Sequence, residues 1–382
     1  MYQRLLIAFL ILAVSVGSAF GAVHKKKRRR VTQAVAVTVK APVVAAAGVS
    51  RRLRHVSSSP WKTPTYADST TGDSVDGEDL VVRRAAVQAL GPYNGAVVVV
   101  DPNSGRILSA VNQKLAFQGS FEPCSTIKIM AALAGLNEGL INQETSLRLT
   151  RRHAMHLTEA LAHSNNQFFA NVGEKLGYDK IVQYGTMLGL GEKAGLNIDE
   201  ELPGTIDAAP PADGIGMMTS FGEGFYMTPL ELAGMVTSVA NGGTLYYLQH
   251  PRSLQDVDLF QPVVKRQLDI AQWLPEIRPG MAGAVEYGTA RRIGVTADDP
   301  IFGKTGTCTD NRSPTHLGWF GSYNEVGDRK LVVVVLLTGG HGVSGPVASG
   351  VAGSVYKNLA QENYFAQVVH LSPAALISSP AF

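Results

Sequence analysis

The pattern of apolar and polar positions divides the chain into a strand-rich beginning, a helical middle and a strand-rich end. Residues 96–101 form an apolar run of the length of a buried strand, a Pro-Asn-Ser-Gly turn follows at 102–105, and residues 106–111 return. This pattern predicts a β-hairpin. From residue 124 to about residue 240 the apolar positions recur at helical spacing, with glycine-rich breaks.

Strand-like patterns resume in the last quarter of the chain. Residues 301–308, 317–323 and 331–337 predict three further strands, and residues 347–360 predict a closing helix. A hairpin, a long helical insert, a strand meander and a terminal helix argue for an α+β fold. We therefore expect one antiparallel β-sheet flanked by helices, with an α-helical subdomain.

A nearly uninterrupted apolar stretch, residues 5–22, follows Arg4. It predicts a signal peptide or a single membrane anchor over residues 1–22, and Ala19-Phe20-Gly21 offers a small-x-small cleavage site. Six consecutive cations at residues 25–30 follow the stretch, whereas only Arg4 and the amino terminus precede it. The positive-inside rule interprets this charge pattern as C-terminus inside, which argues against export.

Residues 23–85 lack helical or strand periodicity. The Ser57-Ser58-Ser59-Pro60 cluster and Thr70-Thr71-Gly72-Asp73 are typical of a flexible spacer, and globular patterning starts near Leu80. The predicted organisation is a signal peptide or anchor (1–22), a basic and Ser/Pro/Ala-rich linker (23–85), a globular domain (86–365) and a C-terminal tail (366–382).

Composition and charge agree with an ordinary globular enzyme. The 382 residues are 45% hydrophobic and 17% charged, with a net charge of +3. The one basic run, residues 25–30, borders the apolar stretch, so it is better interpreted as a solvated or membrane-surface tail than as a nucleic-acid groove. We expect no nucleic-acid partner.

Three short motifs occur in order along the chain: Ser125-Thr126-Ile127-Lys128, Ser164-Asn165-Asn166 and Lys304-Thr305-Gly306-Thr307. The first two patterns also arise by chance, as in Ser59-Pro60-Trp61-Lys62, Ser354-Val355-Tyr356-Lys357 and Ser322-Tyr323-Asn324. Context selects Ser125, because it follows a helix-breaking Pro123 and opens an apolar run that Gly139 can close.

A serine and a lysine at a helix start can form an activated nucleophile. Lys128 lies one helical turn after Ser125, so its amine can reach the hydroxyl, and the helix N-terminus favours a developing oxyanion. Lysine acts as a base only when neutral, and burial together with a nearby Lys304 would lower its pKa. Ser164 and Asn166 are separated by one buried-looking asparagine, so both are expected to face one cleft.

The ordered motifs resemble those of penicillin-binding proteins and class A β-lactamases. Residues 94–112 resemble the opening hairpin of a penicillin-binding-protein transpeptidase domain. Further similar stretches are Phe221-Gly222-Glu223-Gly224, Thr228-Pro229-Leu230-Glu231-Leu232-Ala233, Ala240-Asn241-Gly242-Gly243, Tyr287-Gly288-Thr289-Ala290 and Gly318-Trp319-Phe320-Gly321. The similarity runs from about residue 86 to residue 362, fits penicillin-binding proteins better than class A β-lactamases, and implies a β-lactamase/transpeptidase-like fold.

The resemblance implies a role for each motif residue. Ser125 would be the acylated nucleophile, Lys128 its general base and Ser164 a proton relay toward the leaving amine. Asn166 would bind the substrate amide, and the backbone N–H groups of Ser125 and Thr307 would form the oxyanion hole. Lys304, Thr305 and Thr307 would hold the terminal carboxylate of D-Ala-D-Ala or of a β-lactam, with Gly306 in the same binding strand. No metal and no cofactor is implied.

The resemblance also implies partners and a location. The substrates would be peptidoglycan stem peptides, with β-lactam antibiotics as inhibitors or substrates. We therefore expect an exported protein, periplasmic or on the outer face of the cytoplasmic membrane, and held there by its N-terminal segment if that segment is uncleaved. Because no additional module is evident, we expect a catalytic domain alone on a tether.

Four functions remain open at the level of sequence. The prediction is a D,D-transpeptidase or D,D-carboxypeptidase; the alternatives are a serine β-lactamase, a non-catalytic β-lactam sensor and a scaffold with a vestigial site. Class A β-lactamases deacylate with a water held by a glutamate after the Ser-x-Asn motif. The corresponding region here contains Glu192, Asp199, Glu200 and Glu201. The Leu202-Pro203-Gly204 that follows resembles a transpeptidase loop, so these carboxylates are interpreted as solvated and deacylation as slow.

The only two cysteines border the first and third motifs. Cys124 stands where the family usually has glycine before the serine, and Cys308 directly follows Thr307. In the fold that the resemblance implies, the nucleophile helix starts against the strand of the third motif, so a disulfide is predicted. Some carbapenem-hydrolysing class A β-lactamases have a disulfide at these positions, which is the best argument for that alternative function. Two buried, reduced cysteines are the other possibility.

Overall fold

A computed structural model describes residues 61–150, 154–294, 300–310, 312–325 and 329–366. The helices are α1 Leu80–Leu90, α2 Gln113–Gln118, α3 Lys128–Asn137, α4 Leu157–Ala162, α5 Asn166–Leu176, α6 Tyr178–Met187, α7 Ile215–Ser220, α8 Pro229–Ala240, α9 Leu254–Asp258, α10 Leu274–Glu286 and α11 Gly345–Gln361. The strands are β1 Gly95–Asp101, β2 Arg106–Val111, β3 Leu147–Arg148, β4 Ala154–Met155, β5 Thr205–Ile206, β6 Phe225–Tyr226, β7 Thr244–Tyr247, β8 Val263–Gln267, β9 Ile301–Thr309, β10 His316–Asn324 and β11 Val332–Gly339. Short 3₁₀ turns occur at Cys124–Ile127, Ala271–Trp273 and Arg291–Ile293.

A five-stranded antiparallel sheet with the strand order β2-β1-β11-β10-β9 organises the fold. The predicted hairpin is confirmed as β1 and β2, and the three predicted C-terminal strands and the closing helix are confirmed as β9, β10, β11 and α11. Thr307 of β9 pairs with Gly318 of β10. Since β9 is an edge strand of this sheet, backbone groups on its outer side can pair with an extended ligand.

Both faces of the sheet are buried, which explains why β1 has a continuous apolar sequence rather than an alternating one. Val97 and Val99 pack with α1 and α11 on one face. Val98 and Val100 point to the opposite face and pack with the helical part of the chain. The predicted α+β architecture, with helices on an antiparallel sheet and a helical subdomain, is confirmed.

The helical part lies between β2 and β9 in sequence. α3 is buried from Lys128 to Leu136 and contacts α5, α6 and α7, so it forms the centre of this subdomain. α8 begins with a capping box made by Thr228 and Glu231. The strand pairs β3–β4 and β5–β6 interrupt the helices. The sequence pattern did not predict them, because two-residue strands leave no periodic signal.

The globular fold begins earlier than the predicted boundary at residue 86, because α1 crosses that position. Polar contacts tie the preceding residues to the domain. Thr65 Oγ1 accepts a hydrogen bond from the backbone N–H of Gly340 at 3.0 Å, and Asp73 pairs with Arg83 at 2.7 Å. The predicted linker over residues 23–85 is therefore wrong for residues 61–85, because individual polar contacts hold the part before α1 and Val82 and Ala85 of α1 are buried in the core.

The predicted N-terminal segment, residues 1–22, lies outside the described residues, as does the predicted tail except for its first residue. In the part of the chain that the structure describes, no helix combines the length and the apolar character that crossing a bilayer requires.

Candidate active site

The first motif lies where the 3₁₀ turn Cys124–Ile127 joins α3. Thr126 Oγ1 closes this turn by donating to the carbonyl oxygen of Pro123 at 2.6 Å. The hydroxyl oxygen of Ser125 lies 2.9 Å from Lys128 Nζ and 3.5 Å from the carbonyl oxygen of Ser220. The helix expected to begin at Ser125 thus opens with a 3₁₀ turn, and the lysine reaches the serine from one turn later.

Lys128 is a fully buried amine at the centre of the site. Its Nζ lies 2.9 Å from the carbonyl oxygen of Ser164, 3.1 Å from Ser164 Oγ and 2.6 Å from Asn166 Oδ1. Burial, and after it the charge of Lys304, holds the pKa of Lys128 well below its usual range. The neutral amine is therefore accessible, and its lone pair can accept the Ser125 proton across their 2.9 Å contact.

The second motif forms the tight connection between α4 and α5. Ser164 has a left-handed backbone with φ 56°, and Asn165 caps α5 by accepting from the backbone N–H of Phe168 at 2.8 Å. This turn brings Ser164 and Asn166 to the same lysine amine, so the two side chains share one cleft. Asn165, which looked buried in the sequence, is a half-buried helix cap.

The third motif lies on β9. Lys304 is fully buried and donates to the carbonyl oxygen of Thr305 at 3.1 Å, and burial lowers the pKa of Lys304 to about 7. Thr305 Oγ1 lies 2.6 Å from Thr289 Oγ1, and Thr307 Oγ1 accepts from the backbone N–H of Gly345 at 2.7 Å. Each threonine hydroxyl is thus oriented by a partner outside the motif, which preorganises the edge of β9.

Gly306 allows the first and third motifs to touch. A Cβ at this position would lie 2.8 Å from the carbonyl oxygen of Pro123 and 3.2 Å from the Cβ of Cys124. A side chain would therefore push β9 away from the start of the nucleophile helix. The glycine sets the spacing between Ser125 and the strand edge.

A disulfide joins Cys124 to Cys308 across 184 positions of sequence. It ties the residue before the serine to the residue after Thr307, so it spans the same junction as Gly306. Cys124 has a φ of 49°, a left-handed conformation that favours glycine. This conformation gives a physical reason for the glycine that the family usually has at the position.

Two contacts of the site had no signal in the sequence. The hydrogen bond between Thr289 and Thr305 joins the segment after α10 to β9, and the carbonyl of Ser220 reaches Ser125 from the end of α7. No spacing or periodicity predicts either contact. The only pointer to Thr289 is its place in one of the stretches that resemble the family.

The four loop carboxylates considered for deacylation have other surroundings. Glu192 and Glu200 form ion pairs with basic side chains of neighbouring segments. Glu201 is buried and accepts two backbone N–H groups of its own loop, and Asp199 is exposed. Glu192, Glu200 and Glu201 are thus engaged by partners other than Ser125, and the expectation of a solvated carboxylate is wrong for Glu201.

The serines of the chance matches to the first two motifs make hydrogen bonds within helices and strands where the structure describes them. Ser354 donates to the carbonyl oxygen of Gly350 within α11, and Ser322 donates to that of Val333 within the sheet. Ser59 lies outside the described residues. Over the described ranges, no group of three or more His, Cys, Asp or Glu side chains is arranged to hold a metal ion.

Curated relatives share about a quarter of their aligned residues with the chain. Stage V sporulation protein D of Bacillus subtilis is 26% identical over 313 residues, which cover 71% of this chain and 48% of that protein. Peptidoglycan D,D-transpeptidase MrdA of Haemophilus influenzae is 23% identical over 349 residues, which cover 71% of this chain and 54% of that protein. The chain spans about half the length of these curated relatives.

Solved structures share the fold. Pseudomonas aeruginosa PBP2 in complex with WCK 5153 matches with a TM-score of 0.63 at 22% identity, over 80% of this chain and 81% of that one. PBPA from Mycobacterium tuberculosis matches with a TM-score of 0.62 at 20% identity, over 74% of this chain and 81% of that one. The family model of the penicillin binding protein transpeptidase domain matches residues 95–361, more than half of the chain. The chain therefore belongs to the penicillin-binding protein transpeptidase domain family.

Proposed function

We propose that this chain is a serine D,D-transpeptidase or D,D-peptidase that acts on the D-Ala-D-Ala ends of peptidoglycan stem peptides through an acyl-enzyme on Ser125. The observation that carries the proposal is the buried amine of Lys128, which has a lowered pKa and lies 2.9 Å from Ser125 Oγ. The name of the relative MrdA, a peptidoglycan D,D-transpeptidase, supports the transpeptidase reaction.

In the proposed acylation, neutral Lys128 takes the Ser125 proton while Oγ bonds to the carbonyl carbon of the penultimate D-alanine. The oxyanion that forms accepts hydrogen bonds from the backbone N–H groups of Ser125 and Thr307. As the amide C–N bond breaks, the leaving amine receives a proton from Lys128 through Ser164, whose Oγ is 3.1 Å from Nζ. An amine or a water then attacks the ester.

The same groups would position the substrate. Asn166 would bind the substrate amide, Thr305 and Thr307 would help to hold the terminal carboxylate, and Gly306 would lie in the same binding strand. Lys304 would hold the terminal carboxylate. An arriving carboxylate would favour the charged form of Lys304, whose pKa burial lowers to about 7.

We propose an exported protein whose active site lies outside the cytoplasmic membrane, because its proposed substrate is found there. Residues 1–22 would serve as the signal peptide or anchor, which would make the membrane a partner if the segment is uncleaved. The Cys124–Cys308 disulfide supports this location, since disulfides persist in oxidising compartments.

Penicillin should label the purified full chain stoichiometrically, and the label should be lost slowly. The physical reason is that ion pairs and backbone hydrogen bonds engage Glu192, Glu200 and Glu201, so these carboxylates are not free to activate a deacylating water. The measurement follows covalent fluorescence after excess fluorescent penicillin is removed. Many turnovers per minute on a simple penicillin would overturn slow deacylation and favour the β-lactamase alternative.

A second assay separates an enzyme from a β-lactam sensor. Release of D-alanine from an acyl-D-Ala-D-Ala peptide is expected from the native chain and from Ser354→Ala, a control that alters the competing motif in α11. A chain that takes up penicillin but releases no D-alanine would act as a sensor, and the proposed activity would be wrong.

A further inference from the structure

A carboxylate, an imidazole and a phenol meet where α4 packs against the end of α10. Glu159 on α4 lies 3.3 Å from the Nε2 atom of His163, and Tyr287 at the end of α10 donates its hydroxyl to Glu159 at 3.2 Å. The rings of His163 and Tyr287 are 5.6 Å apart between centroids. Burial, and then the charge of Glu159, raises the pKa of Tyr287, so the phenol stays protonated and remains a donor.

This cluster of Glu159, His163 and Tyr287 adjoins the catalytic groups through both of its chain segments. His163 directly precedes Ser164, the proposed relay to the leaving amine. Tyr287 lies two residues before Thr289, whose hydroxyl is 2.6 Å from that of Thr305. The backbone N–H of Thr289 donates to the carbonyl oxygen of Ala162 at 3.1 Å, which joins the two segments. The two segments that carry the cluster therefore continue into the wall of the site that Ser164 and Thr289 form.

The proposed reaction requires this wall to bind a second amine, the acceptor, and to remove a proton from it. A transpeptidase replaces a leaving amine with an acceptor amine, and by microscopic reversibility the acceptor attacks from the side on which the first amine left. A primary amine in water is an ammonium ion, which must give up a proton before it can attack. A carboxylate beside this wall would favour the approach of that ion.

The cluster is suited to this demand rather than to holding the fold together. The side chains of Glu159 and His163 are 48% and 50% exposed, and a polar contact between side chains that exposed contributes little to stability. Tyr287 is among the exposed large hydrophobic residues, at 41%. A half-exposed carboxylate beside an aromatic ring is a combination of groups that binds ammonium ions.

We propose that Glu159, His163 and Tyr287 form the binding site for the acceptor amine of transpeptidation, an inference that rests on the proposed function. The ammonium group binds the carboxylate and passes one proton to the Glu159–His163 pair and then to solvent. The neutral nitrogen bonds to the acyl carbon, and the bond from that carbon to Ser125 Oγ breaks. The second proton of the amine passes through Ser164 and Lys128 to Oγ, which restores the serine.

The partition of the acyl-enzyme tests this proposal. The purified full chain is given a thioester acyl donor with increasing D-alanine as the acceptor, and the ratio of aminolysis to hydrolysis is measured. Glu159→Gln is expected to lower this ratio about tenfold, because a charge-assisted hydrogen bond is lost, and Glu159→Asp should recover most of it. Glu286→Gln, which removes an exposed carboxylate one residue from Tyr287, should leave the ratio unchanged.

Replacing the acceptor D-alanine with methanol shows whether the loss of acyl transfer in Glu159→Gln depends on the charge of the acceptor. Because methanol is neutral, Glu159→Gln should lower its transfer far less than that of D-alanine. Equal losses with both nucleophiles, an unchanged ratio in Glu159→Gln, or native enzyme that acylates but only hydrolyses would each overturn the acceptor site. If Glu159→Gln fails to fold, His163→Ala supplies the same comparison.

The failure of the proposed function has a different signature. In that case the native chain would form no acyl-enzyme with penicillin or with the thioester, whatever residue occupies position 159. Acylation in the native chain together with a normal partition ratio in both Glu159→Gln and His163→Ala would leave the proposed function standing and refute the acceptor site alone.

Discussion

Lys128→Met is expected to slow the acylation of Ser125 by a penicillin about 10²- to 10⁴-fold, the usual effect of a positioned general base. Methionine fills the buried channel of the lysine side chain but has no amine to accept the serine proton. The first-order acylation rate at saturating penicillin measures the effect. Lys357→Met, which alters the lysine of the competing motif in α11, is the matched control and should acylate at the native rate.

The pH dependence of the acylation rate tests whether neutral Lys128 is the base. Only neutral Lys128 can act as the base, so the native rate should rise with pH through the lowered pKa of Lys128. The charge of Lys304 is one cause of the lowering. Lys304→Gln should therefore raise the pKa of Lys128 and move the rising limb to higher pH, in addition to weakening carboxylate binding. A limb that stays in place, or that persists in Lys128→Met, would contradict this role for Lys128.

Loss of the disulfide is expected to produce the largest change in stability. In the chain-entropy model, a bridge that closes a loop of 184 positions contributes about 5 kcal/mol to the free energy of unfolding, and measured bridges typically contribute about 2–4 kcal/mol. Cys308→Ala should therefore lower the free energy of unfolding by an amount in this range. It should also slow acylation, because Cys124 is then free to leave its left-handed conformation next to the nucleophile.

The double variant Cys124→Gly/Cys308→Ala separates the two effects. Glycine adopts the left-handed backbone without the cost of about 1 kcal/mol that a side chain incurs. The double variant should therefore recover acylation while it still lacks the stability of the bridge. Denaturant unfolding and acylation rates measure both. Two free thiols in the unreduced native protein, or an unchanged free energy of unfolding in Cys308→Ala, would show that the bridge does not act as described.

The sequence was sufficient for the parts of the fold that have a periodic pattern. The hairpin of β1 and β2 and the strands β9, β10 and β11 appear as apolar runs between turn residues, and both faces of β1 are indeed buried. The same reasoning failed for residues 61–85. Before α1, Asp73 and Thr65 hold that segment through individual polar contacts, which no periodicity can reveal.

The candidate site shows the same division. The spacing of Ser125 and Lys128 predicted their contact, because residues three apart in a helical turn share a face. Asn165 was misjudged because its side chain is used to cap α5. The bond between Thr289 and Thr305 depends on how the end of α10 meets β9, which is a property of tertiary packing. The motifs thus identify the groups proposed to react, whereas the groups that orient them required the structure.

Mapping of the penicillin adduct by mass spectrometry identifies the residue that is acylated. The purified full chain is labelled, digested and sequenced, and the native chain is compared with Ser125→Ala. We expect one adduct, on Ser125, and no stable labelling of Ser125→Ala. An adduct on any other residue, or full labelling of Ser125→Ala, would show that Ser125 is not the acylated nucleophile.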